Sequence, residues 1–242
     1  MELIKAYFIS DLHIGVDCSA EEKQRQKKIL DFFKAISGEV THLYIVGDLF
    51  DFWYEYKKVI PKKYFEFLHI LKSISERGVE IHYLAGNHDF YLGRFFDEYL
   101  NIKTWQDEYT FELGGKRFYL LHGDGLAKRD SGYRFLKRVL RSKTNNRIFR
   151  WLHPDLGIPF ARFVSGSSRN YTRNINLQDE EDYKAFAEKQ FSEGYDYVLL
   201  GHRHIPLEYK KDHHIYINLG EWFEKNSYAV FDGTNLKLEY YR

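Results

Sequence analysis

The chain has 242 residues, of which 44% are hydrophobic and 18% aromatic. This length and composition predict a globular protein with one large domain or two small ones. The formal net charge of +1 gives no global signal for a protein that binds nucleic acid or acidic ligands.

Cys18 is the single cysteine, so an intramolecular disulfide is excluded and a reducing compartment is the natural interpretation. Residues 1–5 lead directly into a strand pattern and lack the basic and apolar regions of a signal peptide. No apolar run approaches the ~18 residues needed to cross a bilayer. We therefore expect a cytoplasmic protein whose contact with a membrane is at most peripheral.

The first 85 residues alternate between predicted strands and helices. Apolar runs predict strands at 4–10, 43–46 and 79–85, and helical periodicity predicts helices at 20–36 and 61–77. This alternation is typical of parallel strands joined by crossover helices. In such sheets, binding sites form at the carboxyl ends of the strands.

The second half of the chain is richer in strands. A hairpin is predicted around the Gly114-Gly115 turn, and another around Asp232-Gly233. Strands are predicted at 109–113, 117–121, 196–200, 207–209, 214–217, 228–231 and 236–240. We expect two sheets packed face to face with helices outside, in a single domain spanning residues 1–242.

Residues 125–173 fit neither half and are predicted to form a basic, helical insertion. Between residues 127 and 173 there are twelve Lys and Arg and two Asp, a formal charge of +10. Apolar side chains are interleaved with the basic ones, so the segment is expected to pack rather than to act as a linker. It could bind nucleic acid, pack on an acidic face of its own protein, or cover a site that takes phosphates and apolar chains.

Polar residues follow five of the predicted strands, mostly beside glycine. They are Asp11, His13, Asp48, Asn87, His122, His202 and His204. In extended chain, residues i and i+2 face the same side, so Asp11 with His13, and His202 with His204, can each share an ion. The Asp48 carboxylate has two oxygens and can bridge two ions.

These seven residues predict two metal sites that share Asp48. Asp11, His13, Asp48 and His204 are assigned to one ion. Asp48, Asn87, His122 and His202 are assigned to the other. Mixed imidazole and carboxylate ligands favour Mn, Fe, Zn or Co over Ca, and two ions ~3.5–4 Å apart suit displacement at phosphorus.

His88 directly follows Asn87 and is the candidate catalytic residue. Imidazole changes protonation state near neutral pH, so His88 could stabilise phosphoryl oxygens or protonate a leaving group. The remaining histidines lack a strand-end context and are interpreted as structural or solvated: His42, His69, His82, His153, His213 and His214.

Together these motifs resemble the calcineurin-like metallophosphoesterase superfamily. The matching motifs are Asp11-X-His13, Gly47-Asp48-X-X-Asp51, Gly86-Asn87-His88-Asp89, His122-Gly123-Asp124 and Gly201-His202-X-His204. The resemblance implies an α/β fold (α+β by strict criteria): a four-layer αββα sandwich of two mixed sheets, with the basic segment as a helical lid.

Over essentially its whole length the chain also resembles the UDP-2,3-diacylglucosamine pyrophosphatases of lipid A biosynthesis. The resemblance rests on Trp53, Asp89-Phe90-X-Leu92-Gly93, Leu219-Gly220-Glu221-Trp222 and the insertion. It implies hydrolysis of a nucleotide-sugar lipid to UMP and 2,3-diacylglucosamine 1-phosphate, by attack of metal-held hydroxide on the α-phosphorus. It also implies two divalent ions, with Mn²⁺ favoured, and peripheral contact with the cytoplasmic face of the inner membrane.

The same resemblance implies which residues bind substrate: Asn87, His88, Asp130, Tyr133, Ser168, Arg169, Thr172, Arg173 and His202. That family commonly has arginine where this chain has His88, which leaves a broader phosphodiesterase or nucleotide pyrophosphatase open. A non-catalytic scaffold of the same fold would be expected to lack metal ligands, and none of the seven is missing. Neither a nucleic acid nor a protein partner is predicted.

Overall fold

A computed structural model of the chain describes most of its residues. These are residues 3–128, 142, 145, 147, 149, 151–157, 159 and 177–242. Four α-helices lie in the main described ranges: α1 (Ala20–Ile36), α2 (Phe65–Glu76), α3 (Phe95–Leu100) and α4 (Leu177–Ser192). None of the described helices is long and apolar enough to cross a bilayer.

The strands of the same ranges form two large sheets and one small one. They are β1 (Ala6–Ile9), β2 (His42–Val46), β3 (Trp53–Tyr54), β4 (Glu80–Leu84), β5 (Asp89–Tyr91), β6 (Lys103–Trp105), β7 (Tyr109–Leu113), β8 (Lys116–Leu121), β9 (Tyr197–Leu200), β10 (Leu207–Lys211), β11 (His214–Asn218), β12 (Ser227–Phe231) and β13 (Leu236–Tyr240). The first sheet has the order β13-β12-β1-β2-β4-β6, the second β10-β11-β9-β8-β7, and β3 pairs with β5.

Both large sheets are mixed. Strands β1, β2, β4 and β6 are parallel, whereas β12 runs antiparallel to β1. In the second sheet β8, β9 and β11 are parallel, and β7 and β10 form antiparallel edges. Because each sheet has a parallel centre, several strands of each end at one edge, which is where ligands bind in such folds.

Three hydrophobic clusters separate four layers. Alternate residues of β1 face opposite sides: Phe8 lies in the cluster between the two sheets, with Phe118 of β8, and Ile9 faces the helices. Helices α1, α2 and α3 cover the outer face of the first sheet, and α4 packs Tyr183 and Ala187 on the outer face of the second. The predicted αββα sandwich is therefore confirmed.

Helix α1 shows how closely local sequence determines these elements. The Ser19 hydroxyl accepts a hydrogen bond from the backbone N–H of Glu22 and caps the helix. Ile29, Phe32 and Phe33 form the buried stripe of the helix. The predicted bounds of 20–36 match those observed.

Other elements differ from prediction or were missed. The helix predicted at 61–77 is split, because Pro61 and a 3₁₀ turn at Lys62–Tyr64 precede α2. Strands β3, β5 and β6 and helix α3 have two to six residues, too few to show a period. Helix α4 was also missed, since most of its 16 residues are polar or charged.

The basic segment 125–173 lies largely outside the described residues, so its prediction as a lid stays a prediction. One described part of it contacts the body of the fold. The ring of Phe149 packs on Tyr54 at 4.6 Å between centroids, and lies 6.2 Å from Tyr56 and 6.4 Å from Phe52. This part of the segment is therefore seated on the loop that follows β2 and on β3.

Candidate metal centre

The loops after β1 and β2 are joined by backbone hydrogen bonds. Asp11 N donates to the Gly47 carbonyl at 3.2 Å, and His13 N donates to the Asp48 carbonyl at 2.9 Å. Across the sandwich, His202 N donates to Asp11 Oδ2 at 2.8 Å. These contacts bring polar side chains from three strand ends, on both sheets, to one place.

The backbone at this place is strained. In the described residues, eight non-glycine residues have φ in the left-handed region, and five of them are predicted ligands: Asp11, His13, Asp48, His202 and His204. Such a conformation costs of order 1–3 kcal/mol per residue unless the surroundings impose it. Strain concentrated on five polar residues is typical of a functional site.

Close approach also restricts the chain beside these residues. Gly47 has φ of +87°, and a Cβ there would overlap with the imidazole of His122. The ring of His122 lies against this backbone and its Nδ1 donates to the Val46 carbonyl at 2.9 Å. Because Nδ1 carries that proton, Nε2 is the nitrogen left to face the site.

Asp11, His13 and His204 form the first group of converging atoms. His204 Nε2 lies 3.1 Å from Asp11 Oδ1 and 3.1 Å from His13 Nε2. Asp11 Oδ1 is buried and has no hydrogen bond of suitable angle among the described residues. Its other oxygen is held by Ser10 Oγ at 2.6 Å. The three ligand atoms therefore lie close enough together to share one ion.

Asp48, Asn87, His122 and His202 form the second group. His122 Nε2 lies 3.4 Å from Asp48 Oδ2 and 3.0 Å from Asn87 Oδ1. Asn87 Oδ1 is also 2.8 Å from His202 Nδ1. Asp48 Oδ2 lies 3.7 Å from His13 Nε2 as well. Asp48 therefore stands between the two groups, as a bridging carboxylate would.

His88 lies beside both groups. Its Nδ1 is 2.6 Å from the Asp51 carbonyl, and its backbone N–H donates to Asp48 Oδ1 at 2.8 Å. The first contact assigns the Nδ1 proton, so Nε2 faces the centre, 4.0 Å from Asp48 Oδ2. The ring meets that of His13 edge-on at 4.5 Å. His88 is thus fixed in orientation at the edge of the two groups.

The protonation states fit a site built for cations. Although burial alone would raise it, His204 and His13 hold the pKa of Asp11 well below its usual range. Burial, with His88 nearby, lowers the pKa of His13 to about 3, and burial lowers that of His202 to about 4. Burial opposes protonation of His122 too, but Asp48 outweighs it and raises its pKa to about 10.

The donor set fits two divalent ions. Two anionic carboxylates, one amide oxygen and four imidazoles converge, with neighbouring donor atoms 2.8–3.7 Å apart. Buried polar atoms normally find hydrogen-bond partners, so the unsatisfied Asp11 Oδ1 is the sign that something else is meant to contact it. Nitrogen and oxygen donors of this mixture suit first-row transition metals.

The high pKa of His122 makes metal uptake dependent on pH. Its second proton is on Nε2, which must bind the ion, so binding at pH 7 is expected to release protons. For release of one proton, affinity should weaken about tenfold per pH unit as pH falls. Titration calorimetry with Mn²⁺ in buffers of different protonation enthalpy measures the number of protons released on binding. Heats that are independent of the buffer would contradict this expectation.

Sequence reasoning missed three residues that support the first group. Arg25 of α1 donates to the His13 carbonyl at 2.8 Å and pairs with Glu22 at 2.7 Å. Its guanidinium lies 4.5 Å from the ring centre of Phe223, which stacks on His13 at 5.7 Å. The detectable signal was an acid and a base three residues apart, which does not reveal their distant partners.

The structure brings together all seven predicted metal ligands and His88. Their roles as metal ligands and as catalytic residue remain proposals. Six predicted substrate contacts lie outside the described residues: Asp130, Tyr133, Ser168, Arg169, Thr172 and Arg173. Among the histidines predicted to be structural or solvated, His82 is buried and contacts Glu80 at 2.8 Å and the indole nitrogen of Trp105 at 3.0 Å.

Comparison with known proteins gives the family. A family model described as calcineurin-like phosphoesterase matches residues 4–206. A UDP-2,3-diacylglucosamine hydrolase of Porphyromonas gingivalis (strain W83) is 32% identical over 253 residues, covering 97% of each chain. Proteins of the same name from Haemophilus ducreyi and Haemophilus influenzae (strain PittGG) are each 29% identical, covering 89% and 93% of this chain and 91% and 92% of their own. The chain therefore belongs to the calcineurin-like phosphoesterase family and is a metal-dependent hydrolase of phosphoric esters.

Proposed function

We propose that this chain hydrolyses the pyrophosphate of UDP-2,3-diacylglucosamine, giving UMP and 2,3-diacylglucosamine 1-phosphate. The observation that carries the proposal is the full-length match, 97% of both chains, to a protein named UDP-2,3-diacylglucosamine hydrolase. The convergence of every predicted metal ligand supports it, because a chain that had kept only the fold would have no reason to retain them.

The residues divide the work of the site. Asp11, His13 and His204 would hold one ion and Asn87, His122 and His202 the other, with Asp48 shared. We propose Mn²⁺ for both. When bound, such ions supply Lewis acidity to phosphoryl oxygens and lower the pKa of water. The protein contributes the fixed separation of the two groups.

His88 would act on the diphosphate itself. With Nδ1 held by the Asp51 carbonyl, its Nε2 is directed at the space above Asp48. A protonated Nε2 would donate a hydrogen bond to a phosphoryl oxygen. Alternatively, it would give its proton to the oxygen of the departing sugar phosphate when the α-phosphorus is attacked. Asn87 and His202 would contact the same phosphate group. The residue is histidine where arginine is common, and both can donate to a phosphate.

The acylated half of the substrate would be bound by the basic segment. We propose that Asp130, Tyr133, Ser168, Arg169, Thr172 and Arg173 contact the nucleotide sugar and its phosphates. A substrate with two acyl chains resides in a membrane, so we place the enzyme at the cytoplasmic face of the inner membrane. No helix of the described residues spans a bilayer, so this contact would be peripheral.

Substrate preference tests the proposal. Purified enzyme with Mn²⁺ should release UMP from UDP-2,3-diacylglucosamine with kcat/KM at least ~100-fold above that for UDP-N-acetylglucosamine, because acyl contacts add binding energy of about 3 kcal/mol. A small chromogenic phosphodiester serves as the control for intact chemistry. Turnover of the diester with no preference for the acylated substrate would instead favour a broader phosphodiesterase.

A further inference from the structure

The loop that follows β3 carries an unusual local sequence, Lys57-Lys58-Val59-Ile60-Pro61-Lys62-Lys63. Four of its seven residues are basic and none is acidic. At its centre, Val59 is 50% exposed and Ile60 is 37% exposed. Two exposed aliphatic side chains between two pairs of lysines have no role in the metal centre described above.

The charges of this loop are not neutralised by its neighbours. In the portion of the chain that the structure describes, Lys57, Lys58 and Lys62 are exposed and take part in no ion pair. By comparison, the exposed Lys34 of helix α1 pairs with Asp31 of the same helix. Lys63 has a different role: its Nζ donates to the Gly15 carbonyl at 2.9 Å and lies over the Tyr64 ring. It therefore anchors the loop, and the other three lysines face outward.

A second exposed apolar element borders the same place. His153, Pro154 and Asp155 line one side of an open groove of about 770 Å³, and residues 56–63 line the other. Beside them, Trp151 is 91% exposed and Leu156 is 65% exposed. Asp155 is the acidic residue in the groove lining, and it lies 3.7 Å from His153 Nδ1. The combined surface therefore joins exposed apolar side chains of both elements to the lysines of the loop.

The base of this surface is rigidly connected to the fold. The side chains of Tyr54 and Tyr56 are buried and pack against Phe149, 4.6 and 6.2 Å away. Phe52 belongs to the same cluster, and the residue before it, Asp51, accepts the hydrogen bond from His88. The loop that carries the exposed lysines is therefore only a few residues along the chain from Asp51, which contacts His88 at the metal centre.

We propose that this docking patch, formed by Lys57, Lys58, Val59, Ile60, Lys62, Trp151 and Leu156, binds the surface of an anionic phospholipid bilayer. The positive charges of the three lysines are complementary to the negative charges of the headgroup phosphates. Tryptophan and aliphatic side chains next to lysine are the composition that enters the headgroup region. A nucleic acid would leave Val59 and Ile60 exposed, because aliphatic side chains offer bases no stacking partner.

The inference deepens the proposed function and rests on it for the placement at a membrane. Because binding to vesicles needs neither substrate nor metal, its failure can be told apart from a failure of the proposed hydrolysis. The experiment is flotation of the full chain with phosphatidylcholine vesicles, with and without 30% phosphatidylglycerol. We expect binding to the anionic vesicles alone, weakened by salt. The Lys57→Glu, Lys58→Glu, Lys62→Glu variant should bind at least ~100-fold more weakly, at about fivefold per lysine neutralised and further loss on reversal.

A matched control separates the patch from net charge. Lys27, Lys225 and Lys237 are exposed and lie outside the patch, so their replacement by glutamate changes the charge equally and should reduce binding less than fivefold. Equal loss in both triple variants, or no loss in either, would overturn the proposal. So would equal binding to neutral vesicles. Hydrolysis of the small diester by every variant shows that the fold is intact.

A second readout follows insertion directly. Of the four tryptophans, Trp53 and Trp222 are buried and Trp105 is partly buried, so Trp151 is the one placed to enter lipid. Anionic vesicles with brominated acyl chains should quench its fluorescence, and Trp151→Phe should remove most of that quenching. Val59→Asp should reduce vesicle affinity about tenfold while leaving diester hydrolysis unchanged. Vesicle binding without quenching of Trp151 would contradict the proposed patch.

Discussion

Replacing Asp48 by asparagine is expected to lower kcat/KM by at least ~10³-fold on every phosphoric-ester substrate, the loss of about 4 kcal/mol of transition-state stabilisation. Asp48 Oδ2 lies between His122 Nε2 at 3.4 Å and His13 Nε2 at 3.7 Å. Asparagine can still accept the hydrogen bond from His88 N through its oxygen, so the fold should survive. Its neutral amide cannot bridge two cations. Steady-state kinetics and metal content per chain measure both effects.

Asp212→Asn is the matched control for this substitution. Asp212 lies in the exposed turn between β10 and β11 and, like Asp48, has φ in the left-handed region, at 53°. The same chemical change there should alter kcat/KM by less than about twofold. If Asp48→Asn kept two ions per chain and most of its activity, the assignment of Asp48 as the bridging ligand would be wrong.

A single methyl group at position 86 is expected to be nearly as damaging. In Gly86→Ala the new Cβ would overlap with Asp48 Oδ1 and lie 2.7 Å from the Asp48 backbone nitrogen. The Gly86 N–H is itself held by Asp89 Oδ2 at 2.9 Å, so the strand end cannot simply move away. We expect about 1–3 kcal/mol of destabilisation and ~100-fold lower kcat/KM from displacement of Asp48.

Gly38→Ala provides the comparison, because no atom lies within 4 Å of a Cβ built there. Neither glycine has φ in the left-handed region, so the pair isolates steric overlap from backbone strain. Denaturant unfolding should give a free energy within about 0.5 kcal/mol of the parent for Gly38→Ala. Similar stability and activity for both variants would show that the Asp48 carboxylate tolerates a shift, and that its position is less tightly fixed than we expect.

Much of the site was predictable because its residues are local in sequence. An apolar run followed within two residues by a polar one predicts both a buried strand and a side chain at its carboxyl end, as Val46-Gly47-Asp48 illustrates. Parallel pairing of β1, β2 and β4 then places Asp11, Asp48 and Asn87 at one edge. The strand-rich second half of the chain predicted a second sheet packed on the first, and the family resemblance supplied the four-layer αββα order.

Other features depend on contacts between distant parts of the chain. Arg25 reaches Phe223 from the opposite end of the sequence, and no local pattern connects them. His13 and His204 have a left-handed backbone, which is uncommon for residues other than glycine and which no local pattern of this sequence predicts. Strand β3 has two residues and owes its existence to β5, with which it pairs.

Hydrolysis of UDP-2,3-diacylglucosamine in water enriched in ¹⁸O, with Mn²⁺ present, tests the central claim most directly. Attack of water oxygen on the α-phosphorus forms a new P–O bond there and breaks the bond to the bridging oxygen, which leaves with the sugar phosphate. Mass spectrometry should therefore find one ¹⁸O in UMP and none in 2,3-diacylglucosamine 1-phosphate. Label in the sugar phosphate instead, or no turnover of this substrate by enzyme that hydrolyses a simple diester, would contradict the proposed reaction.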